Sequence, residues 1–305
     1  MLDERTDSEA SGGGIRMTPS RAQPMGAPGS GGSAPLKRYR VPMTPRRDLV
    51  DLWHHRELAR SLTERDLRVR YKQSWFGWAW PLITPFVTIV LFTIFFKRVG
   101  KIDTGDVPYP LFAYVGLLPW DFFSGGFSSG AGALFVNSAI VNKVYCPREI
   151  FVIEALLNAA FDTALSTLGL TVLFVWFGFA PNATMVWIVP LIAIGVAFTT
   201  GMALAFSTFV IYVRDVRNII TVIISAGLFV TPVAWPLNAI PRPWRPVYCT
   251  VDPLAAVIDG FRRSVLYGQA PRWGLVALAG ASSLIVLVGG YLIFRRLEGG
   301  IADIA

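Results

Sequence analysis

After position 74 the chain consists mainly of apolar residues, cut into stretches by short polar breaks. About 20 consecutive apolar residues cross a bilayer core as an α-helix, since a helix satisfies its backbone N–H and C=O groups internally. Six such stretches can be drawn. The first, about Trp75–Phe96, carries no charge and opens on an interfacial cluster of Trp75, Trp78 and Trp80. Pro81 and Pro85 are expected to kink its start. The second, about Tyr109–Val136, is interrupted by Pro119-Trp120-Asp121 and by Gly125, Gly126, Gly130 and Gly132. The third is about Ile150–Phe179 and the fourth about Met185–Ile211. The fifth, about Ile219–Trp235, ends at a Thr231-Pro232 break, and the last, about Trp273–Phe294, stops at Arg295 and Arg296.

Between the fifth and sixth stretches, Pro236, Pro241, Pro243 and Pro246 break the chain. A short helix follows, with Asp252 as N-cap, Pro253 at the first helical position and Gly268 as its stop. Leu254, Val257, Ile258, Phe261 and Val265 share one face, with Asp259, Arg262 and Arg263 placed off it. About fifteen residues carrying charges are too short and too polar to cross, so an amphipathic interfacial or re-entrant element is expected.

Ahead of the apolar body, residues 1–45 are rich in Gly, Ser, Pro and Ala and predict a disordered tail. No apolar run follows its charges, so it does not read as a secretory signal. Residues 46–74 predict an amphipathic helix, with Leu49, Leu52, Trp53, Leu58 and Leu62 as an imperfect apolar stripe. A helix lying in the headgroup plane and a solvated helix leading into the membrane both fit that pattern. Residues 75–305 form the transmembrane domain.

Composition sharpens this picture. The chain is 53% hydrophobic and 16% charged, with a mean hydropathy of +0.50. Of its 48 charged residues, 23 lie in the first 72 positions, leaving a body nearly free of charge. The net charge of +8 follows membrane topology: Arg56, Arg60, Arg65, Arg68, Arg70 and Lys72 gather just before the first apolar stretch and hold that flank in the cytoplasm. Six spans with both termini inside place 20 Lys and Arg inside and 8 outside, five of the latter being Arg242, Arg245, Arg262, Arg263 and Arg272. Cys146 and Cys249 then fall on opposite sides and do not pair, and neither Cys spacing nor His54-His55 suggests a metal.

No catalytic constellation stands out. Gly26 and Gly31 have phosphate-loop spacing, but Gly32 stands where the lysine belongs. A chain of this kind that pumps needs its nucleotide-hydrolysing engine from another subunit. Glu154 and Asp162 lie inside the third stretch, eight residues apart and roughly on one helix face. A carboxylate at the bilayer centre costs about 3 kcal/mol on insertion scales, so burial within a bundle is expected. Coupled proton movement, a hydrogen bond between helices, and an interfacial position for Glu154 all remain open. Asp121 is expected to cap a helix break.

Several stretches resemble the permease subunits of type-2 ABC exporters, in the branch that exports polysaccharide, O-antigen and teichoic acid. Arg65–Ser74 with Gly77 and Trp80 is similar to that family's opening signature. Lys143–Ile150 resembles its cytoplasmic segment between the second and third spans, with Cys146 in place of the usual Phe. Arg214-Asp215-Val216, Thr231-Pro232-Val233, Asp252-Pro253-Leu254 (Asp where Asn is commoner) and Phe294–Glu298 follow in the family's order. The likeness covers about residues 50–305.

That resemblance implies an all-α membrane protein of six spans per subunit, with an N-terminal interface helix near 47–70 and a coupling helix near Asn137–Glu149. It implies a homodimer in the bacterial cytoplasmic membrane, joined to two ATP-binding subunits that carry ATP and Mg. No cofactor, metal or nucleic acid is expected on this chain. Partner contacts are expected at Arg65, Arg70, Lys72, Asn142, Lys143, Tyr145, Pro147, Arg148 and Glu149. The path for a lipid-linked glycan is expected between subunits against the first and fifth spans, near Trp78, Phe86, Phe92, Phe229, Pro232 and Trp235. Flat aromatic faces let sugar rings slide without a fixed register, although for any single aromatic a lipid-facing or packing role is the better explanation. A permease for drugs or smaller lipids, a membrane enzyme and a proton-driven transporter are the competing functions.

Overall fold

A computed structural model describes residues 53–72, 77–100, 104–138, 146–213 and 215–301. The expected tail, most of the coupling segment (including Asn142, Lys143 and Tyr145) and the side chain of Trp78 lie outside them. Every regular element among the described residues is a helix, with no strand.

The helix α1 spans Arg56–Lys72, and α2 spans Trp80–Phe92 with a π-helical continuation over Thr93–Val99. Pro81 sits in the first turn of α2, where its missing N–H costs nothing. The helix therefore opens at Trp80 and not at Trp75. Next, α3 runs Tyr109–Val136, α4 Glu149–Phe177 and α5 Ile188–Tyr212. Gly178, at a φ of 68°, ends α4 in the left-handed conformation that favours glycine. After these come α6 (Val216–Val230), a short α7 (Arg245–Val251), α8 (Pro253–Val265) and the long α9 (Trp273–Ile301).

Four of these segments are long and apolar enough to cross a membrane: Trp80–Lys97, Glu149–Phe177, Ala183–Tyr212 and Trp273–Glu298. At 28 residues, or about 42 Å, α3 also exceeds the bilayer core in length. Its glycines, serines and Asp121 dilute its hydropathy, and it lies at the centre of the fold against α2, α4, α5, α6 and α8. The expected break at Pro119 does not occur. Pro119 stands inside a continuous helix, so Asp121 caps nothing. Tight surroundings hold the helix through its missing hydrogen bond.

Close backbone approach, and not large side chains, sets the contact between α5 and α9. A Cβ on Gly201 would collide with the backbone of Val286 and Leu287, and one on Gly290 with the carbonyl of Gly201. Gly126 and Gly130 instead make room for side chains of neighbouring helices, those of Leu156, Thr199 and Ala203.

The helix α8 keeps its expected cap but not the expected separation of its charges from its buried face. Asp252 caps it, accepting from the Leu254 N–H at 3.2 Å, as the pattern predicted. Yet nearly every residue from Pro253 to Val265 is buried, Arg262 among them. It packs against α3, α5, α7 and α9, so it is inserted into the bundle and does not lie flat on its surface.

We expect Gly201→Val to destabilise the detergent-solubilised chain by about 1–3 kcal/mol through overpacking. Gly132→Ala, where an added Cβ meets open space, should be neutral or mildly stabilising. Thermal unfolding followed by tryptophan fluorescence separates the two.

Candidate functional site

Polar contacts between distant elements gather towards the two ends of the bundle. At one end the N-terminal segment, the start of α4 and the end of α9 meet. At the other, the α2–α3 linker, the α4–α5 turn and residues 231–272 meet: Tyr267 donates to the Thr104 carbonyl at 3.2 Å, and Thr184 to that of Ser264 at 2.7 Å.

At this second end the chain leaves α6 at Thr231 and runs irregularly through Pro232, Val233, Ala234 and Trp235, with Thr231 to Ala234 buried and Trp235 half-buried. Carbonyls in such a segment have no helical partner, and an unmet buried acceptor is costly. One side chain meets most of them. Arg262, only 3% exposed, donates from Nη1 to the carbonyls of Pro232 (2.7 Å) and Trp235 (3.1 Å) and from Nη2 to that of Val233. Its Nε donates to the carbonyl of Phe112 in α3 at 3.1 Å, and the guanidinium lies 3.6 Å from the centre of the Phe112 ring. Gly116 makes room, since a Cβ there would strike the guanidinium. Tyr109 adds a bond to the Ala234 carbonyl at 2.9 Å. Arg262 thus ties the α6 break, α3 and α8 together. Its position was readable: four residues after Ile258 and one after Phe261, it falls beside the apolar face of α8 and not away from it.

At the first end, Asp162 of α4 accepts from Arg70 Nη1 at 2.7 Å and from the Tyr71 hydroxyl. Burial first, and then the carboxylate it faces, push the Tyr71 phenol above its usual range, so it stays a donor. Asp162 therefore forms a hydrogen-bonded link between helices and anchors the end of α1. Glu154, 4% exposed, accepts from Asn158 Nδ2 and meets Asp66 of α1. Glu149 is 3% exposed and stands 3.2 Å from Arg295 of α9, whose Nη1 also reaches Glu298 at 3.2 Å. Arg148 donates to the Glu298 carbonyl at 2.7 Å. Arg70, Arg148 and Glu149 are thus engaged within the chain, whereas Arg65 and Lys72 share an exposed face of α1 with Arg68. Pro147 is half-buried at the edge of the described segment.

The aromatics expected along a path divide. Phe229 is exposed on α6, a helix with Ile220 as its one buried residue. Trp235 is half-buried, its indole N–H bound to the Phe229 carbonyl at 3.0 Å. Phe86 is half-buried edge-on to Tyr114, and lines an apolar cleft of about 570 Å³ between α2 and α4. Phe92 and Pro232 are buried and serve packing. Along α2, Val87, Val90, Leu91, Ile94 and Phe95 remain exposed, an apolar surface that suits lipid or another protein.

The profile of the ABC-2 type transporter family matches residues 57–266. An O-antigen export system permease protein RfbA of Klebsiella pneumoniae is 28% identical over 245 residues, covering 80% of this chain and 93% of that protein. Its counterpart in Myxococcus xanthus is 24% identical over 250 residues, covering 81% and 95%. The polysialic acid transport protein KpsM of Escherichia coli is 20% identical over 235 residues, covering 77% and 91%.

Two outcomes follow from this geometry. Arg262→Met leaves several buried carbonyls unmet and should cost more than about 3 kcal/mol, with Arg262→Lys recovering part, since an ammonium lacks the planar fork. Thermal unfolding in detergent reads both. Asp162→Asn keeps the size of the side chain but weakens its hold on Arg70 and Tyr71. Limited trypsin digestion should then cut α1 at Arg65, Arg68 and Arg70 faster than in the wild type, while unchanged cleavage would detach α1 docking from Asp162.

Proposed function

This chain belongs to the ABC-2 type transporter family, and on that premise we propose that it is the membrane-spanning permease of an ATP-driven exporter of a lipid-linked polysaccharide. One observation carries the reading. The likeness to O-antigen and polysialic acid export proteins runs along about four-fifths of the chain and over nine-tenths of theirs, through both ends of the bundle.

In this reading α3 and α6 join the four long apolar helices to make six spans. At 15 residues, or about 22 Å, α6 is short of the bilayer core, and the Thr231–Trp235 segment completes its crossing. Such irregular backbone is tolerable at depth only when protein satisfies it, and Arg262 provides that. The helix α8 is then a re-entrant element on the outer side, and both termini lie in the cytoplasm of a bacterial cell.

The chain supplies the conduit, and a separate ATP-binding subunit supplies the energy. Arg65, Arg68 and Lys72 on the free face of α1, together with the segment 142–148, form the docking surface for that subunit. Glu149 and Arg295 brace the segment from behind. Two copies of the chain meet through the exposed flanks of α2 and α6, where Phe229 and Trp235 offer flat surfaces to passing sugars. Engaged by Arg70 and Tyr71, Asp162 is placed to hold α1 rigid. Movement of the ATP-binding subunit then reaches α4 directly.

The purified chain should hydrolyse no ATP alone and should co-purify with an ATP-binding subunit. Scrambling residues 143–149 should abolish that association. In a strain lacking the chain, undelivered glycan should accumulate inside the cell and return to the surface on complementation. Normal surface polymer in the deletion strain, with loss of export of a small lipid or drug instead, would overturn the polysaccharide assignment.

A further inference from the structure

Beyond the Arg262 clamp, the second end of the bundle holds a partly open cavity of about 320 Å³ with several charged side chains in its wall. Its walls include Asn238 after α6, Asp259, Arg262 and Arg263 of α8, and Gln269 and Arg272 before α9. Three guanidinium groups thus face one carboxylate. Arg262 is bound to neutral carbonyls, which take up its N–H groups and leave its charge uncompensated. Arg263 uses Nε on the Ala270 carbonyl at 2.9 Å. Arg272 donates Nη2 to Asn238 Oδ1 at 2.7 Å and stands 3.7 Å from Asp259. Its Nη1, though, is buried and has no hydrogen-bond partner among the described residues.

A buried donor without an acceptor is unfavourable, and more so when it is charged. Ser264 Oγ and Asp252 Oδ2 at this end also lack partners among the described residues, but Arg272 Nη1 is the one such atom that belongs to a cation. A sugar hydroxyl would satisfy the N–H but not the surplus of positive charge. A carboxylate or phosphate oxygen satisfies both, in the charge-assisted geometry that guanidinium groups favour. The amides of Asn238 and Gln269 beside it suit the hydroxyls of a ring.

We infer that this cavity binds an oxyanion carried on a sugar, a carboxylate or a phosphate, with Arg272 and Arg263 as its ligands. The inference deepens the exporter reading by assigning it an acidic glycan, and it rests on that reading for the side of the membrane the cavity faces. The clamp residue Arg262 supplies field and not a bond, since its donors are engaged.

The test uses the full chain in nanodiscs of phosphatidylcholine, with glucuronate, glucose 6-phosphate and glucose titrated by calorimetry. Both anions should bind and glucose should not. Arg272→Gln should weaken the anions by about tenfold or more, as should Arg263→Gln, whose more open position is less tied to folding. Arg60→Gln on the exposed face of α1 should leave them unchanged, and thermal unfolding checks that each variant is folded. Equal binding by both variants, no binding of either anion, or equal binding of glucose would overturn the site. If phosphatidylglycerol in the disc displaces both anions, a lipid headgroup is the occupant and the glycan assignment falls. Because no readout here depends on transport, its failure leaves the export experiment to stand or fall by itself.

Discussion

A single guanidinium decides whether this bundle can hold irregular backbone in its interior. Moving an isolated charge into an apolar medium is prohibitive, so a buried arginine persists only where its surroundings replace water. Here they do so with four carbonyls and the face of Phe112. The exchange is mutual: the carbonyls of Pro232, Val233 and Trp235 need donors as much as Arg262 needs acceptors. Lysine, with three donors on one point, does not spread over this geometry. The end of α6, the seating of α8 and the room left by Gly116 on α3 all depend on that one contact.

Elsewhere the fold handles polarity locally. Thr84, Thr88, Thr93, Thr163 and Thr167 each return their hydroxyl to a carbonyl four residues back in the same helix. A threonine that satisfies itself in this way places no demand on its neighbours, so these helices carry such residues and remain apolar in effect. Ser166 is different. It donates to the Pro81 carbonyl at 2.7 Å, and its own carbonyl accepts from Tyr114 at 2.7 Å, so α2, α3 and α4 are joined by polar contacts at one level. Interhelical bonds of this kind are individually modest, and they add orientation to a core held mostly by packing.

These features explain what was legible beforehand. Hydropathy located the helices that face the surroundings, and α3 matched its expected limits, Tyr109 and Val136, because its flanking residues change character abruptly. Its continuity was not legible. Pro119 marks a break by local rules, and only the neighbours packed around α3 overrule them. The roles of Asp162 and Glu149 followed the same pattern. Their placement in or beside an apolar stretch was plain, but the partners, Tyr71 and Arg295, lie 91 and 146 positions away in the chain, and no local pattern pairs residues at that range. Arg262 was missed for a different reason. Setting it off the apolar face with Asp259 and Arg263, because it is charged, hid its register beside Ile258 and Phe261.

The same error bears on topology. Five arginines between α6 and α9 oppose the rule that positive charge stays inside, and as bare charges they weaken the orientation drawn from the first flank. Their engagements show why the fold retains them. Arg262 meets the carbonyls of the α6 break, Arg245 binds those of Ile240 and Asn238, Arg263 that of Ala270, and Arg272 binds Asn238. Four of the five therefore act as long-armed donors for irregular backbone and turn residues, work that neither an apolar nor an acidic side chain can do. In the proposed orientation, the cost of carrying them across is offset by a segment that cannot otherwise satisfy its own carbonyls. At the other end, Arg60, Arg65, Arg68 and Lys72 stay on exposed positions of α1, and the ion pairs there, Arg60 and Arg68 with Glu64 and Arg65 with Asp66, lie within that helix and in water. A charge count weighs the two groups alike, whereas the hydrogen bonds separate arginines that join distant parts of the fold from those that pair only along one exposed helix.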